Sequence, residues 1–297
     1  MNKIQNFFTI NDLENLSGVK AHTIRIWEKR YNLLSPSRTE GNIRTYDIEA
    51  LQKLLNVAAL NEIGYKISRI SELKANELGS KVISETSNSS GIEHYINKFK
   101  MAMVTFNQSI FEQTYSQLLA GFSFRQIFLD ILIPFLHRVG LEWQSQNITP
   151  AHEHFISNLV KQKLHINIER VQFLQPQNGV DNVYVNFLPD GEMHELALLY
   201  IHYEASVKGY RSIFLGQSVP MQDIVHISKL FNKITFVSHF TVEPVELNSY
   251  LTEFDKEVLV NSNHSLWVSG RKVKTFETSI SPKIILFNEI LEIINKI

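Results

Sequence analysis

No cysteine occurs anywhere in the 297 residues. That absence excludes disulfide staples, thiolate catalysis and cysteine-ligated zinc or iron–sulfur sites, and it leaves histidine as the main soft metal ligand. Also missing is any apolar run near the roughly 18 residues of a membrane span. The start, Met1-Asn2-Lys3-Ile4-Gln5-Asn6-Phe7-Phe8, lacks the apolar stretch and cleavage site of a secretory signal. A cytoplasmic protein without membrane attachment is expected. A serine-hydrolase elbow, a phosphate-binding glycine loop and a paired-carboxylate motif are absent too, and His152-Glu153-His154 has the wrong spacing for the two ligands of a zincin. Net charge is scarce at −1, yet it is unevenly placed: residues 1–75 hold 11 of the 29 Lys/Arg and 8 of the 30 Asp/Glu, so they carry +3 and the remainder −4. A basic N-terminus suits a segment that faces nucleic acid.

What is present has the size for two or three cores. The cluster Ser84-Glu85-Thr86-Ser87-Asn88-Ser89-Ser90-Gly91 has too little apolar content to pack, and Gln175-Pro176-Gln177-Asn178-Gly179 has turn chemistry. These breaks divide the chain into residues 1–75, a flexible linker over 76–91, a helical segment over 92–174 and an alternating segment over 180–297.

In the first segment Thr9 or Asn11 can cap a helix containing Leu13 and Leu16. Ser17-Gly18 makes a turn, and a second helix runs from about Lys20 to Tyr31. A short glycine-containing turn between two helices is the helix-turn-helix signal. On the second helix Ile24, Trp27 and Tyr31 share one face, while His22, Arg25 and Lys29 fall nearly opposite. One face packs and the other is open to DNA. Residues 36–46 place a Gly41-Asn42 turn between short extended stretches, as a β-hairpin wing requires, with Arg38 and Arg44 flanking the tip.

The middle segment repeats apolar residues at helical spacing, among them Phe111, Leu118, Leu119, Ile127, Ile131, Leu132, Phe135 and Leu136, and predicts a four-helix bundle. The last segment alternates strands at Val183–Leu188, Ser212–Leu215, Thr235–His239 and Leu266–Ser269 with helices at about 194–208, 221–231 and 245–257. An extended stretch near Thr275–Thr278 and a closing helix Pro282–Ile297 follow. Such alternation predicts a Rossmann-like, doubly wound α/β domain.

Residues 8–72 resemble the MerR family of winged helix-turn-helix regulators, on the string Phe8-Thr9-Ile10, Ser17-Gly18-Val19, Thr23-Ile24-Arg25-Ile26-Trp27-Glu28, Arg38, Gly41, Arg44, Tyr46 and Leu51. The resemblance implies duplex DNA as partner, through a near-palindromic operator that needs a homo-oligomer, dimer or tetramer. It implies DNA contacts from His22, Thr23, Arg25, Arg38, Arg44 and Tyr46.

Residues 92–297 resemble the sensor of the cobalamin-binding light-dependent repressors of the CarH/LitR type. Trp143 is followed after nine residues by Glu153-His154, and Glu192-Met193-His194 lies after the first strand of the alternating segment, with Ala197 where that group has glycine. By this resemblance the cofactor is adenosylcobalamin. His194 is its cobalt axial ligand, Trp143, Glu153 and His154 cover the upper face, and Ser238 and Gly270 flank the nucleotide tail. Two departures stand out. The usual Gly-Gly pair reads Ser269-Gly270, and Gln144 stands where the photoreceptors place histidine. The function implied is a DNA-binding repressor controlled through its oligomeric state by a cobalamin-type, light-responsive sensor. The alternative is a MerR-type regulator with a degenerate, cofactor-free sensor acting through protein contacts.

Overall fold

The first helix is set by local chemistry at Thr9. Its hydroxyl accepts the Asp12 amide while the Asp12 carboxylate accepts the Thr9 amide at 2.7 Å, a capping box that opens α1 (Ile10–Ser17). Gly18 closes it at φ 74°, a left-handed conformation that glycine adopts without strain. Helix α2 (Ala21–Tyr31) follows, its Ala21 amide donating to Glu14 at 2.9 Å. That bond and the Lys20 ammonium hold the Glu14 carboxyl below its usual range. In this computed structural model the described residues are 7–39, 41–62, 64–74, 77–78, 81, 90–144, 148–172, 182–274, 276 and 280–297.

The expected wing is present as β1 (Ser37–Arg38) and β2 (Arg44–Thr45), antiparallel, with Asn42 at φ 60° in the turn. Phe8 and Tyr46 exchange backbone hydrogen bonds of 2.8 and 2.9 Å, tying the wing to the N-terminal stretch. Helices α3 (Ile48–Glu62) and α4 (Ile67–Ile70) complete a core of Leu13, Leu16, Ile24, Trp27, Tyr46, Leu51 and Leu54.

Most of the Ser-rich cluster lies outside the described residues, but Ser90 and Gly91 belong to helix α5 (Ser90–Val104) rather than to a linker. This helix does not stand apart from the DNA-binding segment. Met101 is buried in the N-terminal core, and the Lys100 ammonium donates to the Leu16 carbonyl at 2.9 Å while pairing with Glu142. Helix α6 (Gln108–Leu119) is capped by Asn107. Helix α7 (Phe124–Gln126), opened by a Ser123–Gln126 capping box, runs through a π-helical turn, Ile127–Leu132, into α8 (Ile133–Gln144). Helix α9 (Pro150–Gln172) follows. Phe111, Leu118, Ile127, Ile131, Leu132 and Phe135 are buried as their spacing predicts, whereas Leu119 is 47% exposed at the end of α6. The chain divides into two compact units, Met1–Val160 and Lys161–Ile297.

The second unit is a five-stranded, wholly parallel sheet. Its strands β3 (Val183–Pro189), β4 (Ser212–Val219), β5 (Ile234–His239), β6 (Ser265–Ser269) and β7 (Ile284–Leu286) lie in the order β4-β3-β5-β6-β7. Helices α10 (Leu196–Val207), α11 (Met221–Ser228), α12 (Leu247–Phe254) and α13 (Ile290–Lys296) join or close the strands. Every residue of β3 is buried, as expected of a central parallel strand. The closing helix expected from Pro282 is a correction: Ile284–Leu286 pairs with β6 as the fifth strand, and the helix starts only at Ile290. A short apolar run is ambiguous between the two states, and an open sheet edge beside β6 decided it. Of the extended stretch near 275–278, all but Phe276 lies outside the described residues.

Candidate functional site

On α2 the side chains of His22 and Arg25 are exposed and Thr23 is half-exposed, with Ile24 and Trp27 buried behind them. His22 Nε2 and Thr23 Oγ1 lie 3.3 Å apart. Arg38 is exposed on the wing and donates to the Asn42 side chain; Arg44 Nε sits 3.6 Å from Glu28. All five are open to solvent in whole or in part, as are Lys29 and Arg30 of α2. Tyr46 is not. It is 1% exposed, its ring fills the core, and its hydroxyl donates to Glu28 at 2.5 Å. Burial and the adjacent Glu28 carboxylate push its phenol pKa upward. Its expected DNA contact is thereby corrected to a place beneath the surface, because an aromatic ring that also finds a carboxylate partner is better buried than exposed.

In the second unit the strand order reverses between β3 and β5, and doubly wound sheets bind ligands in the crevice at that point. The loop after β3 carries Glu192 and His194. Glu192 is fully buried. Its Oε1 accepts the amides of Met193 and His194 at 2.9 and 3.0 Å and faces His194 Nδ1 at 2.5 Å. Its Oε2 accepts the amides of Thr241, Val242 and Glu243 at 3.0, 2.7 and 3.0 Å, in the loop after β5. Burial alone would raise this carboxyl's pKa, but the His194 ring and the Val242, Glu243 and His194 amides outweigh it and hold the group well below its usual range. A carboxylate at Nδ1 selects the tautomer with its lone pair on Nε2. The imidazole, 58% exposed, is therefore oriented with Nε2 as the acceptor, the tautomer a metal ligand needs. Among the described residues no three His, Asp or Glu side chains gather into a metal cage, so His194 could serve only as a single ligand to a metal held mainly by something else.

Ser238 and Gly270 are accounted for by the chain's own packing. Ser238 is buried and donates to the Phe187 carbonyl at 2.7 Å. Gly270 has φ 112°, and a Cβ there would stand 2.3 Å from the Phe240 carbonyl oxygen. Sequence reasoning passed over His239, at the end of β5. Its Nδ1 lies 2.9 Å from Ser269 Oγ, and burial lowers its pKa to about 4, with the Glu192 charge opposing. Its position at a strand's carboxyl end was the available signal. A cleft of about 540 Å³ beside this loop is lined by Thr241, Val242, Arg271 and Lys272.

In the first unit Glu153 and His154 occupy the first turn of α9, with Glu153 Oε2 2.7 Å from His154 Nδ1 and the histidine 72% exposed. Neighbouring His152 stacks on Phe106 at 4.6 Å. Trp143 and Gln144 end α8, and their side chains lie outside the described residues.

A winged helix-turn-helix followed by a helical segment and a parallel-sheet ligand domain defines a ligand-sensing DNA-binding regulator. Residues 8–77 match the family of MerR HTH family regulatory proteins, and residues 95–166 match the B12 binding domain. The two matches place a MerR-type DNA-binding segment ahead of a B12-binding type of domain, the arrangement of a DNA-binding regulator with a cobalamin-type sensor. The chain is 27% identical to the HTH-type transcriptional repressor CarH of Myxococcus xanthus over 73% of each chain. To CarA of the same organism, also an HTH-type transcriptional repressor, it is 24% identical over 71% of this chain and 68% of that one. In fold it is similar to the Methanosarcina barkeri monomethylamine corrinoid protein, with a TM-score of 0.55 at 13% identity, covering 69% of this chain and 97% of that one. No helix among the described residues is long and apolar enough to cross a membrane.

Proposed function

We propose that this protein is a cytoplasmic repressor whose grip on a near-palindromic operator is set by adenosylcobalamin through a change in homo-oligomeric state. The observation that carries the reading is the Glu192–His194 pair: a buried carboxylate with six donors orients a single exposed imidazole at the switch point of the sheet. One imidazole, with no cage of His, Asp or Glu around it among the described residues, suits a metal already caged by a macrocycle, and nearby Arg271 and Lys272 suit the phosphate of a nucleotide tail. When bound, the cofactor would supply a photolabile cobalt–carbon bond. His194 would ligate the cobalt, and Trp143, Glu153 and His154 would cover the upper face in a four-helix bundle over about 92–174. The DNA-binding segment, over 1–75, would read bases with His22, Thr23 and Arg25 and clamp phosphates with Arg38 and Arg44. Tyr46 and Glu28 would position Arg44. With glutamine at 144, photolysis is expected to leave no protein-ligated upper adduct.

The test is retention and colour. Protein mixed with adenosylcobalamin in the dark and desalted should keep a corrinoid absorption band, and His194→Ala should shift or abolish it. Size-exclusion runs of apo, dark-loaded and illuminated protein should differ in mass. Loss of the band on desalting the unmutated protein would favour a cofactor-free regulator acting through protein contacts.

A further inference from the structure

The first unit contains a cleft of about 260 Å³ between α3 and the α5–α6 pair, with Gln52 and Asn56 on one wall and His94, Asn97, Lys98 and Gln117 on the other. Among the described residues neither Asp nor Glu lines it. Two of its groups lack what buried polar groups ordinarily have. His94 is 5% exposed, and its Nε2 is buried without a hydrogen-bond partner. The Lys98 ammonium has Gln117 Oε1 at 3.0 Å and, among the described residues, no carboxylate within ion-pair distance. A half-buried cation is normally neutralised, and here the neighbours are neutral amides, all able to donate.

We propose that this cleft binds a small oxyanion, a metabolite carboxylate or phosphate, which accepts from Lys98, His94 and the flanking amides. Because the walls belong to the last long helix of the DNA-binding segment and to the first two helices of the sensor, such a ligand would fasten one to the other. It would stabilise that docking in proportion to its concentration over its Kd. This second input does not rest on the cobalamin reading. Burial depresses the pKa of both cleft bases, His94 to about 4 with the Lys98 charge adding to it, so the histidine meets the anion as a neutral N–H donor.

The test uses the full chain without cobalamin, titrated separately with inorganic phosphate and with citrate against sodium chloride at matched ionic strength. The His94 ring is followed by NMR and the melting temperature is recorded in parallel. A saturable ring shift with a rise in melting temperature is expected from at least one of the two anions, and which one responds assigns the ligand class. Lys98→Met should weaken that binding at least tenfold, and Lys98→Arg should restore most of it, with circular dichroism confirming that both variants fold. A linear, chloride-like response to both anions would overturn the proposal. Equal affinity in Lys98→Met and the unmutated protein would do the same.

Discussion

Replacing Glu192 by glutamine keeps the side chain's shape, removes its charge and turns one of its oxygens into a donor. Whichever oxygen is lost, three donors lose their acceptor: the Thr241, Val242 and Glu243 amides on one side, or the Met193 and His194 amides and His194 Nδ1 on the other. A hydrogen bond to a charged acceptor contributes about 1.5–3 kcal/mol, and donors that can turn to water lose less, so about 1 kcal/mol each and about 3 kcal/mol in all is expected. That is roughly a hundredfold in the folding equilibrium of the second unit. Urea unfolding of the variant, with hydrogen exchange read at the amides of 241–243, measures it. The carboxyl's folded pKa is depressed from an ordinary 4.5, so its contribution is present above that value and is lost as pH falls toward the folded one. The gap between the two proteins should therefore be constant near neutrality and shrink below about pH 4.5. A difference under about 1 kcal/mol, or one that stays level into acid, would refute the reasoning.

Gly270→Ala should destabilise the protein without any cofactor by about 2–4 kcal/mol, since its Cβ meets the Phe240 backbone at a positive φ; normal apo stability with impaired corrinoid retention would assign this glycine to the ligand instead. Arg44→Ala should weaken DNA binding across sequences and lower the salt slope by about one, read by titration at several salt concentrations; an unchanged slope would mean that Glu28 keeps the guanidinium from the phosphates. Lys100→Met removes the ammonium beside the largely buried Glu142 and a donor from the Leu16 carbonyl, so about 2 kcal/mol of the first unit's stability should go, and Glu142→Gln in the same chain should recover part of it. Additive effects in that double-mutant cycle would show that the pair is uncoupled.

The features legible in the residues themselves are those that arise within a few residues of one another. The Thr9 cap, the Gly18 stop, the two-faced α2 and the hairpin wing follow from capping, backbone freedom and 3.6-residue periodicity, which need no distant partner. The alternation that yields a parallel sheet was equally visible, because buried strands are apolar whatever their neighbours. Partners far along the chain are a different matter, since no local pattern encodes them. That Glu192 takes three amides some fifty residues away turns a motif acid into the clamp of two loops. Tyr46 falls inward because Glu28 waits there, and Ile284–Leu286 becomes a strand because β6 has an open edge. Gly270 is demanded by the Phe240 backbone, and Lys100 reaches from a sensor helix to the helix-turn-helix. Such pairings lower the free energy only once packing has brought both groups out of water, so the tertiary structure alone decided them.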